Sequence, residues 1–144
     1  IKTTQLLPNV LAKTYANEKN AYEGIFIDKE GYITEGSSSN IWIINDNNEI
    51  LTRDIDGKIL SGITRKTIAQ FAKENNFKLL EKKFSKDELF KSKEVFLTSA
   101  SSFVTPIIEI DNIKINNGII GKTSIELRNL YFQNFWISNI YGQI

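Results

Sequence analysis

The feature that most narrows the fold is a train of short apolar runs, broken by turn residues, between Tyr22 and Arg53. "YEGIFID" reads as a short strand, "DKEG" as a turn, and "YITE" as the returning hairpin partner. "NIWIIND" is the next strand; Asp46, Asn47 and Asn48 make a turn, and "EILTR" pairs back. Runs of β-branched and aromatic residues bounded by Asn, Asp and Gly are the local signature of hairpins.

Helical spacing appears on both sides of this train. Leu7, Val10, Leu11 and Tyr15 follow it around Pro8, a residue favoured early in a helix, and predict a helix from about Leu7 to Lys19. After the loop "DIDGKILSGITR", a second helix buries Ile68, Phe71 and Ala72, with Ser61 or Thr64 as its cap and "NN" at 75–76 as its end. "FKLLEKKF" reads as a strand, and Ser85 with Glu88 three residues on predicts a capping box for one short helix. "EVFLTSA" is a strongly apolar strand; "VTPIIEI" and "IKI" are further strands around the turn "DN". A last helix is expected from about Thr123 to Phe135. With no repeats and no low-complexity linkers, this is one α/β (α+β) domain, its mostly antiparallel sheet curling toward a barrel-like form.

Composition excludes several chemistries. The 144 residues are 41% apolar and 24% charged with a net charge of +1, which leaves no broad electrostatic footprint for nucleic acid or membrane. There is no cysteine and no histidine, hence no disulfide, no thiolate nucleophile, no thiolate metal site and no imidazole base, and a zinc site would need carboxylates alone. No apolar run approaches the roughly 20 residues of a membrane span, and no targeting signal is visible, so a cytoplasmic location is expected. The chain lacks methionine and starts directly with "IKTTQLL", as expected for the back half of a longer protein.

Polar, small or charged residues cluster at the ends of apolar elements in four places. They are Lys2 with Thr3 and Thr4, Glu35 with Ser37–Ser39, Gly62 to Arg65, and Thr98 to Ser102. "ITEGSSSNIWII" puts a carboxylate and three hydroxyls directly before a core strand, which a core strand does not need. Gly62-Ile63-Thr64 opens a helix, where free N–H groups and the dipole favour an anion. "TSASS" is a second turn rich in donors. Singly, each has an ordinary reading: a cap, a turn, a solvated lysine, a salt-bridged glutamate. Together, an amine nucleophile, a carboxylate and two phosphate-cradling turns are what pyridoxal phosphate requires.

The ordered set "KTTQLLPNVLAK", "YEGIFIDKEGYITEGSSSN", "ILSGITR", "EVFLTSASSFVTPIIEID" and "NGIIGK" resembles the C-terminal domain of class IV aminotransferases. That resemblance implies the pseudo-barrel fold of the family and pyridoxal 5'-phosphate as cofactor. It implies that Lys2 bonds the cofactor's aldehyde and moves the proton between the substrate α-carbon and the cofactor's C4′ carbon. It implies that Glu35 faces the pyridine nitrogen, while Ser37, Ser38, Ser39 and Asn40 line the ring side and support Glu35 by hydrogen bonds. Ile63 and Thr64 match one phosphate turn, Ser99 and Ala100 the other. Ala100 departs from the threonine common in the family's aminotransferases, and Ser99 or Ser101 is the candidate replacement hydroxyl. The family's N-terminal domain, with a phosphate-binding arginine and most substrate-selecting residues, is expected outside this chain. "EGSSSN" and "ILSGITR" favour D-amino-acid aminotransferase, ahead of branched-chain aminotransferase and aminodeoxychorismate lyase. A degenerate non-catalytic domain and a small anion-binding module are the alternatives of another class. Amino acid and 2-oxo acid substrates and a homodimer follow from the resemblance.

Overall fold

The computed structural model describes the backbone of residues 2–54 and 63–141 and the side chains of residues 9–54 and 64–133. The elements run α1 (Lys2–Glu18), β1 (Ile25–Ile27), β2 (Ile33–Gly36), β3 (Asn40–Ile44), β4 (Glu49–Thr52), α2 (Ile63–Glu74), β5 (Lys78–Glu81), α3 (Lys86–Lys91), β6 (Glu94–Ser99), β7 (Phe103–Ile107), β8 (Glu109–Ile110), β9 (Ile113–Lys114) and α4 (Lys122–Tyr141).

Asparagine does much of the turning. In the β3–β4 loop Asn48 takes a left-handed φ of 58°, and the Asn45 Oδ1 accepts from the N–H groups of Asn47 and Glu49, each at 3.0 Å. Between β8 and β9, Asp111 and Asn112 both have positive φ (51° and 64°), which a two-residue hairpin turn requires. Two residues beyond the ends of α1 and α2 stands an asparagine in the left-handed region, Asn20 and Asn76. Ala21 N–H then reaches back to Ala16 O (2.8 Å) and Phe77 N–H to Ala72 O (2.9 Å), covering otherwise open carbonyls. Ser85 caps α3 as expected, accepting from the Glu88 N–H at 3.2 Å.

Several boundaries differ from the sequence expectation. Helix α1 begins at Lys2, ahead of Pro8, although proline has no N–H to donate to the carbonyl four residues earlier. Thr64 is the second residue of α2 rather than its cap, and Ser61 lies outside the described residues. "VTPIIEI" divides into β7 and β8 because Ile108 leaves the ladder and accepts from Ile115 N–H instead (2.9 Å). Strand β5 is confined to Lys78–Glu81, and α4 continues to Tyr141.

Five strands form one sheet in the order β5-β4-β3-β6-β7, antiparallel except for the β4–β5 pair, which α2 connects. All five residues of β3 are buried. Trp42 and Ile44 pack with Phe96 against Ile68, Ala69 and Ala72 of α2 and Leu127 of α4. Ile41 and Ile43 face the other way, with Val95 and Leu97, onto Ile33, Phe84 and Leu89. The β1–β2 hairpin folds over this second face, where Ile33 donates its N–H to Phe84 O at 2.9 Å.

On the first face, Glu94 of β6 anchors α4. Its carboxylate accepts from the N–H groups of Thr123 (3.2 Å) and Ser124 (2.9 Å) and from the Ser124 hydroxyl (2.7 Å), placing negative charge at the helix's positive end. The approach leaves no room for a Cβ at Gly121, which would fall inside contact distance of the Glu94 side chain. Gly121→Ala is therefore expected to lower stability by about 2 kcal/mol, read as an earlier urea midpoint; an unchanged midpoint would mean that Glu94 can swing aside.

Candidate functional site

The connections bring the serine turn, the Thr98–Ser102 turn and the start of α2 toward one end of the five-stranded sheet. Antiparallel pairing sets Asn40, at the start of β3, opposite Thr98, near the end of β6. Thr52, at the end of β4, lies opposite Trp42 and donates its hydroxyl to Ile41 O at 2.9 Å. Arg65, in the first turn of α2, donates from Nη2 to Arg53 O at 2.7 Å, which ties that helix start to the same end. Strand β2 ends at Gly36 and leads through the serine turn into β3. The ends of β2, β4 and β6, the start of β3 and the start of α2 thus converge.

The predicted residues divide by what surrounds them. Glu35 is half-buried on β2. Asn40 and Thr64 are buried at the converging end. Ser99 closes β6, and Ala100 is exposed in the turn that follows. The Ser99 hydroxyl organises that turn, accepting from the Ser102 N–H at 3.0 Å and lying 2.7 Å from the Ser102 hydroxyl. Lys2 is the first residue of α1 and Ile63 the first of α2; their side chains lie outside the described residues. An anion placed at this end would meet the first N–H groups of a twelve-residue helix, a threonine hydroxyl and an exposed serine turn. That donor set suits a phosphate monoester.

The serine turn revises one expectation. The side-chain hydrogen bonds of Ser37, Ser38 and Ser39 go to Glu23, just ahead of β1. The Ser37 hydroxyl donates to Glu23 Oε1. The Ser38 N–H (3.1 Å) and hydroxyl (3.0 Å) and the Ser39 hydroxyl (2.9 Å) all donate to Oε2. Glu23 also accepts from the Gly24 N–H at 2.9 Å and has Lys13 Nζ at 4.0 Å. Burial opposes the charged form of this carboxyl, but the bonds from Ser37, Gly24, Ser39 and Ser38 outweigh it and hold the pKa below the ordinary glutamate value. The packing also accounts for the glycine of "EGSSSN": a Cβ on Gly36 would collide with the Ser39 hydroxyl and crowd Glu23. Sequence reasoning missed Glu23, although three adjacent hydroxyls did signal that some carboxylate was needed.

A cavity of about 750 Å³ lies beside α1 and β1. Glu23 lines it together with Ala12, Tyr15, Tyr22, Phe26 and Phe90, whereas none of the predicted residues with described side chains does.

Residues 1–110 match the amino-transferase class IV family, and the chain belongs to that family. A D-alanine aminotransferase from Bacillus licheniformis is 41% identical over 121 residues, covering 84% of this chain and 42% of the relative. A branched-chain-amino-acid aminotransferase from Pseudomonas aeruginosa is 41% identical over 124 residues, covering 86% and 40%. Among solved structures, the T.th. branched-chain amino acid aminotransferase with pyridoxamine 5'-phosphate superposes with a TM-score of 0.84 at 31% identity, covering 89% of this chain and 42% of that one. The Escherichia coli branched-chain enzyme gives 0.83 at 29% identity, covering 88% and 43%. The chain thus spans about two fifths of the length of these relatives. Class IV aminotransferases use pyridoxal phosphate.

Glu23→Gln is expected to cost about 1–2 kcal/mol at pH 7, the scale of a lost charge-assisted hydrogen bond in a buried cluster. The folded pKa lies below the unfolded one, so this stabilisation is complete above the unfolded value of about 4.3 and fades as pH falls through the folded value. Thermal melts of both proteins should therefore converge in acid; a gap that persists there would mean that the carboxylate's charge is not what the serines hold.

Proposed function

We propose that residues 1–144 form the C-terminal, cofactor-binding domain of a pyridoxal-phosphate-dependent aminotransferase that moves an amino group from an amino acid, a D-amino acid first, to a 2-oxo acid. The observation that supports this best is the convergence of Asn40, Thr64 and the Ser99–Ala100 turn at one end of the five-stranded sheet of a class IV family member, with Glu35 on the strand that leads into it. A branched-chain amino acid is the second reading, since the superposed solved structures carry that name. The N-terminal domain, a homodimeric assembly and a cytoplasmic location belong to the same proposal. No helix among the described residues is long and apolar enough to cross a membrane.

When bound, pyridoxal phosphate supplies an electron sink that makes the substrate α-carbon acidic. The chain's own residues then have separate tasks. Lys2 holds the cofactor's aldehyde carbon and carries the proton to and from the α-carbon, which requires an amine whose pKa is lowered by its site. Glu35 keeps a proton on the ring nitrogen, and that cation makes a partly buried carboxylate tolerable. The N–H groups of Ile63 and Thr64, the Thr64 hydroxyl and the Ser99–Ala100 turn hold the phosphate. Ser38, Ser39 and Asn40 line the ring side.

The first test is to mix the chain, and the full-length protein beside it, with pyridoxal phosphate, reduce with borohydride and map the adduct by mass spectrometry. An adduct on Lys2 is expected, and Lys2→Ala should abolish the visible absorbance band. Retention of that band in the variant, or an adduct on another lysine alone, overturns the assignment. Glu35→Gln in the full-length protein should fold normally and slow turnover roughly 10²-fold; unchanged turnover would remove Glu35 from the ring nitrogen.

A further inference from the structure

Between the two turns assigned to phosphate lies one buried side chain that touches the support of both. Trp42 is fully buried and stacks on Phe96, with ring centroids 5.4 Å apart and planes 12° from parallel. Its indole N–H donates to the Thr98 hydroxyl at 2.9 Å, and Thr98, itself buried, directly precedes Ser99. On the other side the Arg65 guanidinium lies 5.9 Å from the Trp42 ring centroid, and Arg65 directly follows Thr64. Arg65 is 2% exposed, and its Nε is buried without a hydrogen-bond partner. We propose that Trp42 is a positioning residue for the cofactor phosphate, a rigid spacer that fixes the start of α2 and the β6–β7 turn at the separation one phosphate group bridges. This inference rests on the cofactor reading above and deepens it.

Three observations favour a spacer over ordinary core filling. Phenylalanine would fill an apolar face without a buried N–H that needs a partner; tryptophan adds a directed bond to the strand that ends in the second turn. A ring flanked by Phe96 and a guanidinium has little freedom to tilt, so a shift of either turn would have to move the other. Arginine is also the wrong charge for its place. The first turn of α2 contains no acidic residue, and a cation at the positive end of a helix is unfavourable by itself. Burial pushes the Arg65 pKa down, while the carboxylates of Glu81 and Asp54 pull it back up. A buried, incompletely paired cation beside Thr64 is compensated when an anion occupies the helix start.

The test measures the dissociation constants of pyridoxal phosphate and of pyridoxal, which lacks the phosphate, for the full-length protein and its Thr98→Val and Trp42→Phe variants. Visible absorbance reports binding, and near-ultraviolet circular dichroism reports the fold. Each variant is expected to lose about tenfold for pyridoxal phosphate, the effect of disturbing one buried hydrogen bond, while its affinity for pyridoxal stays within about twofold. Equal losses for both ligands mean a merely structural tryptophan, and folded variants without loss mean uncoupled turns; either overturns the proposal. Should Trp42→Phe lose its native signal, Thr98→Val decides, because valine keeps the branched shape and removes only the acceptor. A wild-type protein with no preference for pyridoxal phosphate over pyridoxal overturns the phosphate assignment itself, a result distinct from failure of the spacer.

Discussion

Strand β3 is buried on both faces, and the rest of the arrangement depends on that constraint. Ile41 and Ile43 enter one core while Trp42 and Ile44 enter the other. Because side chains alternate along a strand, a slip of one residue would send Trp42 into the isoleucine side and an isoleucine into the space that fits an indole. A slip of two would keep the faces but break the Trp42–Thr98 bond and move Asn40 away from Thr98. Register is therefore fixed by packing in the middle of the strand, and its consequence appears at the end, where Asn40, the serine turn and the Ser99 turn lie together. The site inherits its geometry from the core beneath it.

The buried charges have a different task. Glu23, Glu94, Arg53 and Arg65 all lie where one element meets another, and each is held by backbone or hydroxyl groups of a second segment. Arg53 donates from Nη1 to Ile33 O at 3.0 Å and to Asp28 Oδ2 at 3.3 Å, tying the end of β4 to the β1–β2 hairpin. The Asp28 carboxyl is held below its usual value chiefly by the Tyr32 N–H, with burial opposing and the Glu30 N–H and Arg53 assisting. Apolar residues of similar size would stabilise such joints as well or better, but they carry no directional demand. A carboxylate that must satisfy several donors admits one turn geometry; an apolar plug admits many. This explains why the serine turn before β3, which has no apolar side chain of its own, is nevertheless fixed.

The hairpins were legible in the sequence because their instructions are local. Asn48, Asp111 and Asn112 tolerate the left-handed region, and Asp28 and Asn45 hydrogen-bond the backbone within four residues of themselves. The short helix α3 was legible for the same reason, through Ser85 and Glu88. The start of α1 was not, because Pro8 marks a helix beginning on local grounds and nothing within a few residues reveals that the helix extends ahead of it. The groups proposed for the site could be picked out as residue types at the ends of apolar elements. What the serines face could not: their partner Glu23 lies 14 to 16 residues away, and Glu35 was the nearer carboxylate. The Arg65–Trp42–Thr98 contact was beyond reach altogether, since it joins three elements whose adjacency only the finished sheet creates.

Equal identity to two kinds of relative also has a physical reading. The chain is 41% identical both to a D-alanine aminotransferase, over 121 residues, and to a branched-chain-amino-acid aminotransferase, over 124. Alanine carries one methyl group beyond its α-carbon, whereas branched-chain amino acids carry bulky aliphatic groups, so pockets for the two must differ in size and lining. The residues that hold a cofactor's ring and phosphate are indifferent to that difference, because the reacting atoms are the same in both cases. A domain devoted to the cofactor should therefore resemble both kinds of relative to a similar degree, and a domain that shaped the substrate pocket should not. The even resemblance is what the proposal of a cofactor-holding segment requires: the register of β3 and the joints around it serve the reacting atoms common to both kinds of relative.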